Sequence, residues 1–124
     1  MFNHISIGVR DIDASKKFYD AILQPLGYRC LSSDSNTLGY GRDATALWIN
    51  SAARPVAADM QSGLHFCFNA ADHGSVKKFY KAALNNGGRD NGEPGLRSDY
   101  HDHYYAAFVI DPDGYRLEAL CESQ

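Results

Sequence analysis

Apolar and polar positions alternate from Phe2 to Val9: Ile5, Ile7 and Val9 form one set, and Phe2, His4 and Ser6 the other. A period of two predicts a strand with one face buried. From about Asp13 the spacing changes to three and four, with Ala14, Phe18 and Ile22 on one stripe, which predicts a helix. Asp11 or Asp13 can cap it by accepting from the free amides of its first turn, and Pro25 and Gly27 end it. The same change of period returns later. Leu64, Phe66 and Phe68 alternate with His65, Cys67 and Asn69, and Val76, Phe79, Tyr80, Ala83 and Leu84 then mark a helix face. Asp72 or Ser75 can cap this second helix, and Asn86-Gly87-Gly88 stops it.

The recurrence is also literal. A shift of 61 residues places Asp11 on Asp72, Lys16-Lys17-Phe18-Tyr19 on Lys77-Lys78-Phe79-Tyr80, and His4 on His65, without a gap. Further strands are predicted at 28–31, 37–40 and 45–50 in the first copy and at 104–110 and 115–121 in the second. The last two flank Asp111-Pro112-Asp113-Gly114, whose residue types suit a type I turn. Residues 89–103 read as a long loop rich in glycine, proline and charge. The expectation is an α+β fold built from two βαβββ modules in tandem. Module one covers about 1–52, a link about 53–62 and module two about 63–121, within one domain of 1–124.

Composition narrows the class. A chain of 124 residues supports one ordinary core, so the two copies must share it. The charge of −3 and the lack of a basic stripe argue against nucleic acid as a partner. No apolar run is long enough for a membrane span, and the first residues do not resemble a secretory leader. Cys30, Cys67 and Cys121 are odd in number and form no C-x-x-C pair, which points to a reducing, cytoplasmic setting.

Each helix must bury its stripe on the apolar side of its sheet, so His4 and Ser6, like His65, Cys67 and Asn69, point the other way. On the last strand Leu117, Ala119 and Cys121 share the apolar side, which places Glu118 with the histidines. Two imidazoles and one carboxylate have the composition of a three-ligand site for a divalent metal with open coordination positions. His4, His65 and Glu118 are therefore the metal-ligand candidates. His101 is the candidate general base, since imidazole titrates near neutrality; His103 and Tyr104 lie beside it. Trp48, Arg97 and Tyr105 are candidates for contact with a substrate, Arg97 through its guanidinium fork.

The opening FNHISIGVRDIDASKKFY, the second start GLHFCF and the tail YYAAFVIDPDGYRLEAL, in this order and spacing, resemble the vicinal oxygen chelate superfamily of glyoxalases, bleomycin-resistance proteins and extradiol dioxygenases. The resemblance spans essentially the whole chain and is greatest to a small bacterial glyoxalase-related branch. It implies a curved mixed sheet around a metal cleft with helices outside, ligands on the first and last strands of each module, and His4, His65 and Glu118 as those ligands. The metal would be Zn, Ni, Mn or Fe. It also implies a homodimer, in some members with each cleft built from two chains, and a small substrate with neighbouring oxygens. Glyoxalase I has a fourth, carboxylate ligand. That position falls near Leu47-Trp48-Ile49, where this chain has none. The implied activity is a metal-dependent lyase or isomerase, and the alternatives are a metal-free binding protein of bleomycin-resistance type and a ring-cleaving dioxygenase.

Overall fold

The computed structural model describes residues 1–123. Its elements follow the order β1 (Ile5–Val9), α1 (Ile12–Leu23), β2 (Arg29–Ser33), β3 (Thr37–Gly41), β4 (Thr45–Ser51), β5 (His65–Asn69), α2 (His73–Asn85), β6 (Arg89–Leu96), β7 (Tyr105–Ile110) and β8 (Arg116–Cys121). The two modules form two four-stranded mixed sheets with the same connectivity, β1-β4-β3-β2 and β5-β8-β7-β6. In each, the first strand pairs in parallel with the last, and the remaining pairs are antiparallel.

Local chemistry sets the helix ends. Asp11 accepts from the amides of Asp13 and Ala14, and Asp72 from that of Ser75, so the repeat-equivalent aspartates are the caps. After α1 a 3-10 turn, Gln24–Leu26, contains Pro25 and closes on Gly27 in the left-handed region. The α1 stripe is slightly rotated from expectation. Ser15, Phe18, Tyr19, Ile22 and Leu23 are buried, while Ala14 is half-buried.

The helices lie against each other, and the buried residues of both modules form one cluster. Phe18 and Phe79, equivalent by the repeat, are both fully buried in it. Polar bonds also join the halves: the Tyr115 hydroxyl donates to the Gly8 carbonyl (2.6 Å), the Tyr19 hydroxyl to Asp111 (2.5 Å), and the Arg10 amide to Asp113 (2.9 Å). At the junction a Cβ on Gly88 would lie 2.6 Å from the Phe18 ring, so this position holds glycine for space.

The segment expected to be a loop over 89–103 instead begins with strand β6, Arg89–Leu96. Gly92, Pro94 and Gly95 hide it in the sequence. It is an edge strand whose register against β7 shifts twice, between Asp90 and Gly92 and between Gly92 and Gly95. Bulged edges tolerate residues that would weaken a central strand. The DPDG turn is present, with the Gly114 amide donating to the Asp111 carbonyl (3.0 Å).

Candidate functional site

Phe66 and Phe68 turn toward the shared core, so His65, Cys67 and Asn69 project from the opposite, open face of the second sheet. Cys67 is the register partner of Glu118, and Glu118 of Phe108, which places those three side chains on that same face. His65 Nε2 lies 2.8 Å from Glu118 Oε1, and the Tyr104 hydroxyl donates to Glu118 Oε2 (2.5 Å). Glu118 is only 5% exposed while His65 is 36% exposed, so the pair has a fixed, buried acid and an accessible imidazole. The Phe108 ring packs 5.8 Å from the His65 ring.

The surroundings shift the neighbouring acids upward. Partial desolvation, followed by the Glu118 carboxylate, pushes the Cys67 thiol up to about 12, so it is a neutral thiol at physiological pH. Desolvation and the bond to Glu118 likewise raise the Tyr104 phenol above its ordinary value, and it remains a hydrogen-bond donor. Beside His65 and Cys67 opens a mainly apolar cavity of about 380 Å³ between the modules, walled by Phe2, Ile5, Tyr28, Leu47, Phe66 and Phe68.

The structure brings together two of the three expected ligands. His65 and Glu118 meet, while His4 is exposed just before β1 and bonds to Asn3 Oδ1 (2.6 Å). Among the described residues, no three His, Cys, Asp or Glu side chains come together as a metal-holding group. His101 Nε2 faces Glu122 Oε2 at 2.7 Å, and its ring meets the Tyr104 ring edge-on at 5.4 Å, so it borders the cluster through Tyr104. The His101 ring also accepts from the His103 amide.

Among the substrate-contact candidates, Tyr105 faces away from the site. It pairs in register with Cys121 on the core side, is buried, and stacks on His73 with ring centroids 3.9 Å apart. Tyr104, one residue earlier, reaches Glu118 instead. Trp48 stands on the open face of the first sheet, as Ser6 does, and its ring covers Gly39, where a Cβ would meet it at 2.8 Å. Arg97 bonds the carbonyls of Gly95 (2.8 Å) and Glu93 (2.7 Å) and lies 5.3 Å over the Phe108 ring, which places it near His65 through that ring. Phe108 went unrecognised in the sequence as a site residue, and its signal was register with Glu118, which requires the pairing of β7 with β8; Tyr104 was placed beside His101, without its bond to Glu118.

Comparison with known proteins agrees with this architecture. A chain from Albidiferax ferrireducens T118, described as a glyoxalase/bleomycin resistance protein, is 32% identical with a TM-score of 0.85, covering 97% of this chain and 98% of that one. The fosfomycin resistance protein FosX from Mesorhizobium loti shares the fold at 13% identity and a TM-score of 0.72, over 99% of this chain and 92% of its own. Protein YqjT of Bacillus subtilis strain 168 is 26% identical over 98% of both chains. Members of this group bind small molecules, commonly use divalent metals and often form dimers. Among the described residues, no helix is long and apolar enough to cross a membrane. The family model for the Glyoxalase/Bleomycin resistance protein/Dioxygenase superfamily matches residues 1–119, and the chain belongs to that superfamily.

Proposed function

We propose that the protein is a metal-dependent, glyoxalase-related lyase or isomerase acting on a small cytoplasmic metabolite with neighbouring oxygens. The observation that carries this reading is the His65–Glu118 pair, 2.8 Å apart on an open sheet face beside an apolar cavity. An imidazole and a carboxylate are suitable donors for a divalent ion, yet among the described residues no third His, Cys, Asp or Glu joins them as a metal-holding group within one chain. The reading therefore includes a homodimer in which His4 of a second copy completes the set. Zn, Ni, Mn or Fe, once bound, would supply Lewis acidity toward two substrate oxygens.

The chain's own groups have separate tasks. Tyr104 fixes Glu118 through Oε2 and leaves Oε1 directed at His65. His101 is the base; to act it must release Glu122, which holds its Nε2. Arg97 and Trp48 border the substrate, with the Arg97 guanidinium held in place by its two carbonyl bonds. Cys67, as a neutral thiol, adds no thiolate nucleophile at neutral pH in the metal-free chain.

A second reading, a metal-free small-molecule binder, is favoured by the way His65 and Glu118 already satisfy each other within one chain. Metal analysis after dialysis against each ion, combined with sedimentation, separates the two. The enzyme reading expects uptake of a divalent ion by a dimer, with His65→Ala and His4→Ala each lowering affinity at least tenfold while the fold persists. A chain that takes up no divalent ion defeats it in favour of the binder.

A further inference from the structure

On the same open face as the His65–Glu118 pair, and reaching from the register partner of His65 to the far edge of the sheet, Arg116 and Arg89 form an arginine pair with no assigned role. Arg89, Ile110 and Arg116 are consecutive register partners across β6, β7 and β8, so all three side chains leave the same open face. Strands lie about 4.8 Å apart, which puts the two arginines about 10 Å apart at Cα, close enough for both guanidiniums to address one ion above Ile110. Together with Arg10, Asp59, Asp113 and the chain around Ala57 and Ala58, they line a cavity of about 320 Å³.

The link between the modules closes this cavity. Gly114 has a φ of +98°, and a Cβ there would lie 2.9 Å from the Ala58 carbonyl oxygen, so the link rests directly on the β7–β8 turn. The acids nearby are already engaged. Asp113 accepts from the amide (2.9 Å) and from Nη1 (3.2 Å) of Arg10, and Asp59 accepts from the Ser62 amide (3.0 Å). Among the described residues, neither the Arg89 nor the Arg116 guanidinium has an ion-pair or hydrogen-bond partner. The cavity wall thus carries three guanidiniums and two carboxylates, an excess of one positive charge, and only Asp113 is tied up in an ion pair, with Arg10.

We propose that this cavity is an oxyanion site for a dianionic phosphate group, either free phosphate or a phosphate monoester. Two guanidinium forks can bond phosphate oxygens bidentately, which a pair of lysines could not do. The site stands on the arginines alone and does not require a metal at His65 and Glu118.

Isothermal titration of the full chain with inorganic phosphate tests it, at constant ionic strength in chloride and with EDTA present so that no metal mediates binding. The expected result is one saturable site, weakened about tenfold by Arg89→Ala and by Arg116→Ala and lost in the double variant. Arg116→Lys keeps the charge without the fork and falls between the wild type and Arg116→Ala. Arg89 is exposed on an edge strand, so Arg89→Ala keeps the fold even if Arg116→Ala does not. Phenyl phosphate binding more tightly than inorganic phosphate identifies a monoester as the ligand, and equal or weaker binding identifies the free ion. No saturable binding, or an affinity unchanged in the double variant, overturns the proposal.

Discussion

At the centre of the open face the first module has Ser6, Trp48 and Gly39 in register, and the second has Cys67, Glu118 and Phe108 in the same three places. The faces turned to the core diverged far less, with Phe18 and Phe79 equivalent and both fully buried. A duplicated fold keeps what both copies need in order to pack, because a core position is constrained by volume on every side. An open face lacks that constraint. Here one copy filled it with a tryptophan over a glycine, and the other with a carboxylate bonded by an imidazole and a phenol. The titratable chemistry of the site is thus concentrated in the second module.

The strongest way to break this comparison is through the core. Phe18→Ala and Phe79→Ala should each cost about 3–5 kcal/mol in urea unfolding, with a single transition in both variants, because one cluster serves both modules. Two separate transitions would mean that the modules are independent. The next effect comes from Asp111, whose place in the matching first-module hairpin is taken by Gly41. Burial raises its carboxyl from 3.8 to about 6, against the bonds from Tyr19, Tyr115 and Asp113. The folded state thus holds this proton more tightly than the unfolded state. The resulting stabilisation is fully present below about 3.8 and is lost as pH rises through about 6. Melting wild type and Asp111→Asn side by side from pH 4 to 7 should show the wild type losing on the order of 2 kcal/mol relative to the variant.

A smaller effect sharpens the contrast at the open face. Glu118→Ala leaves the Tyr104 hydroxyl and the His65 ring without their partner and should cost about 1–3 kcal/mol, and Glu118→Gln should recover most of that. Equal stability of both variants with the wild type would show that the cluster contributes nothing to the fold. Smallest of all is the helix surface. Lys16 bonds Asp20 at 2.7 Å four residues on, whereas its equivalent Lys77 has Lys81 at that spacing. Lys16→Ala should lose about 0.3–0.5 kcal/mol, and Lys77→Ala should lose nothing, measured by the same unfolding assay.

Much of the plan is legible along the chain because it is local. The capping aspartates, the change from period two to period three-and-four, and the DPDG turn all act over a few residues, and each stands where those patterns placed it. The facing of His65 and Glu118 followed from alternation alone. Strand β6 did not, because its glycines and proline are tolerated by a bulged edge that only pairing with β7 creates. Tyr105 was misplaced for a related reason. Alternation has no phase where a loop meets a strand, and an error of one residue exchanges the two faces. Tyr104 therefore took the position at Glu118, and Tyr105 stacked on His73 at the start of α2.

The sequence by itself determined the duplication, the order of elements and the side of each sheet on which the polar residues stand, since all of these arise from repeat and periodicity. The tertiary structure alone decided which of them meet. Glu118 is held by His65 and Tyr104, His4 stays at the start of the other sheet, and Arg89 and Arg116 share a cavity that the link closes. Contacts between residues far apart in the chain depend on how the two modules and the link pack together, and no pattern along one strand encodes that distance.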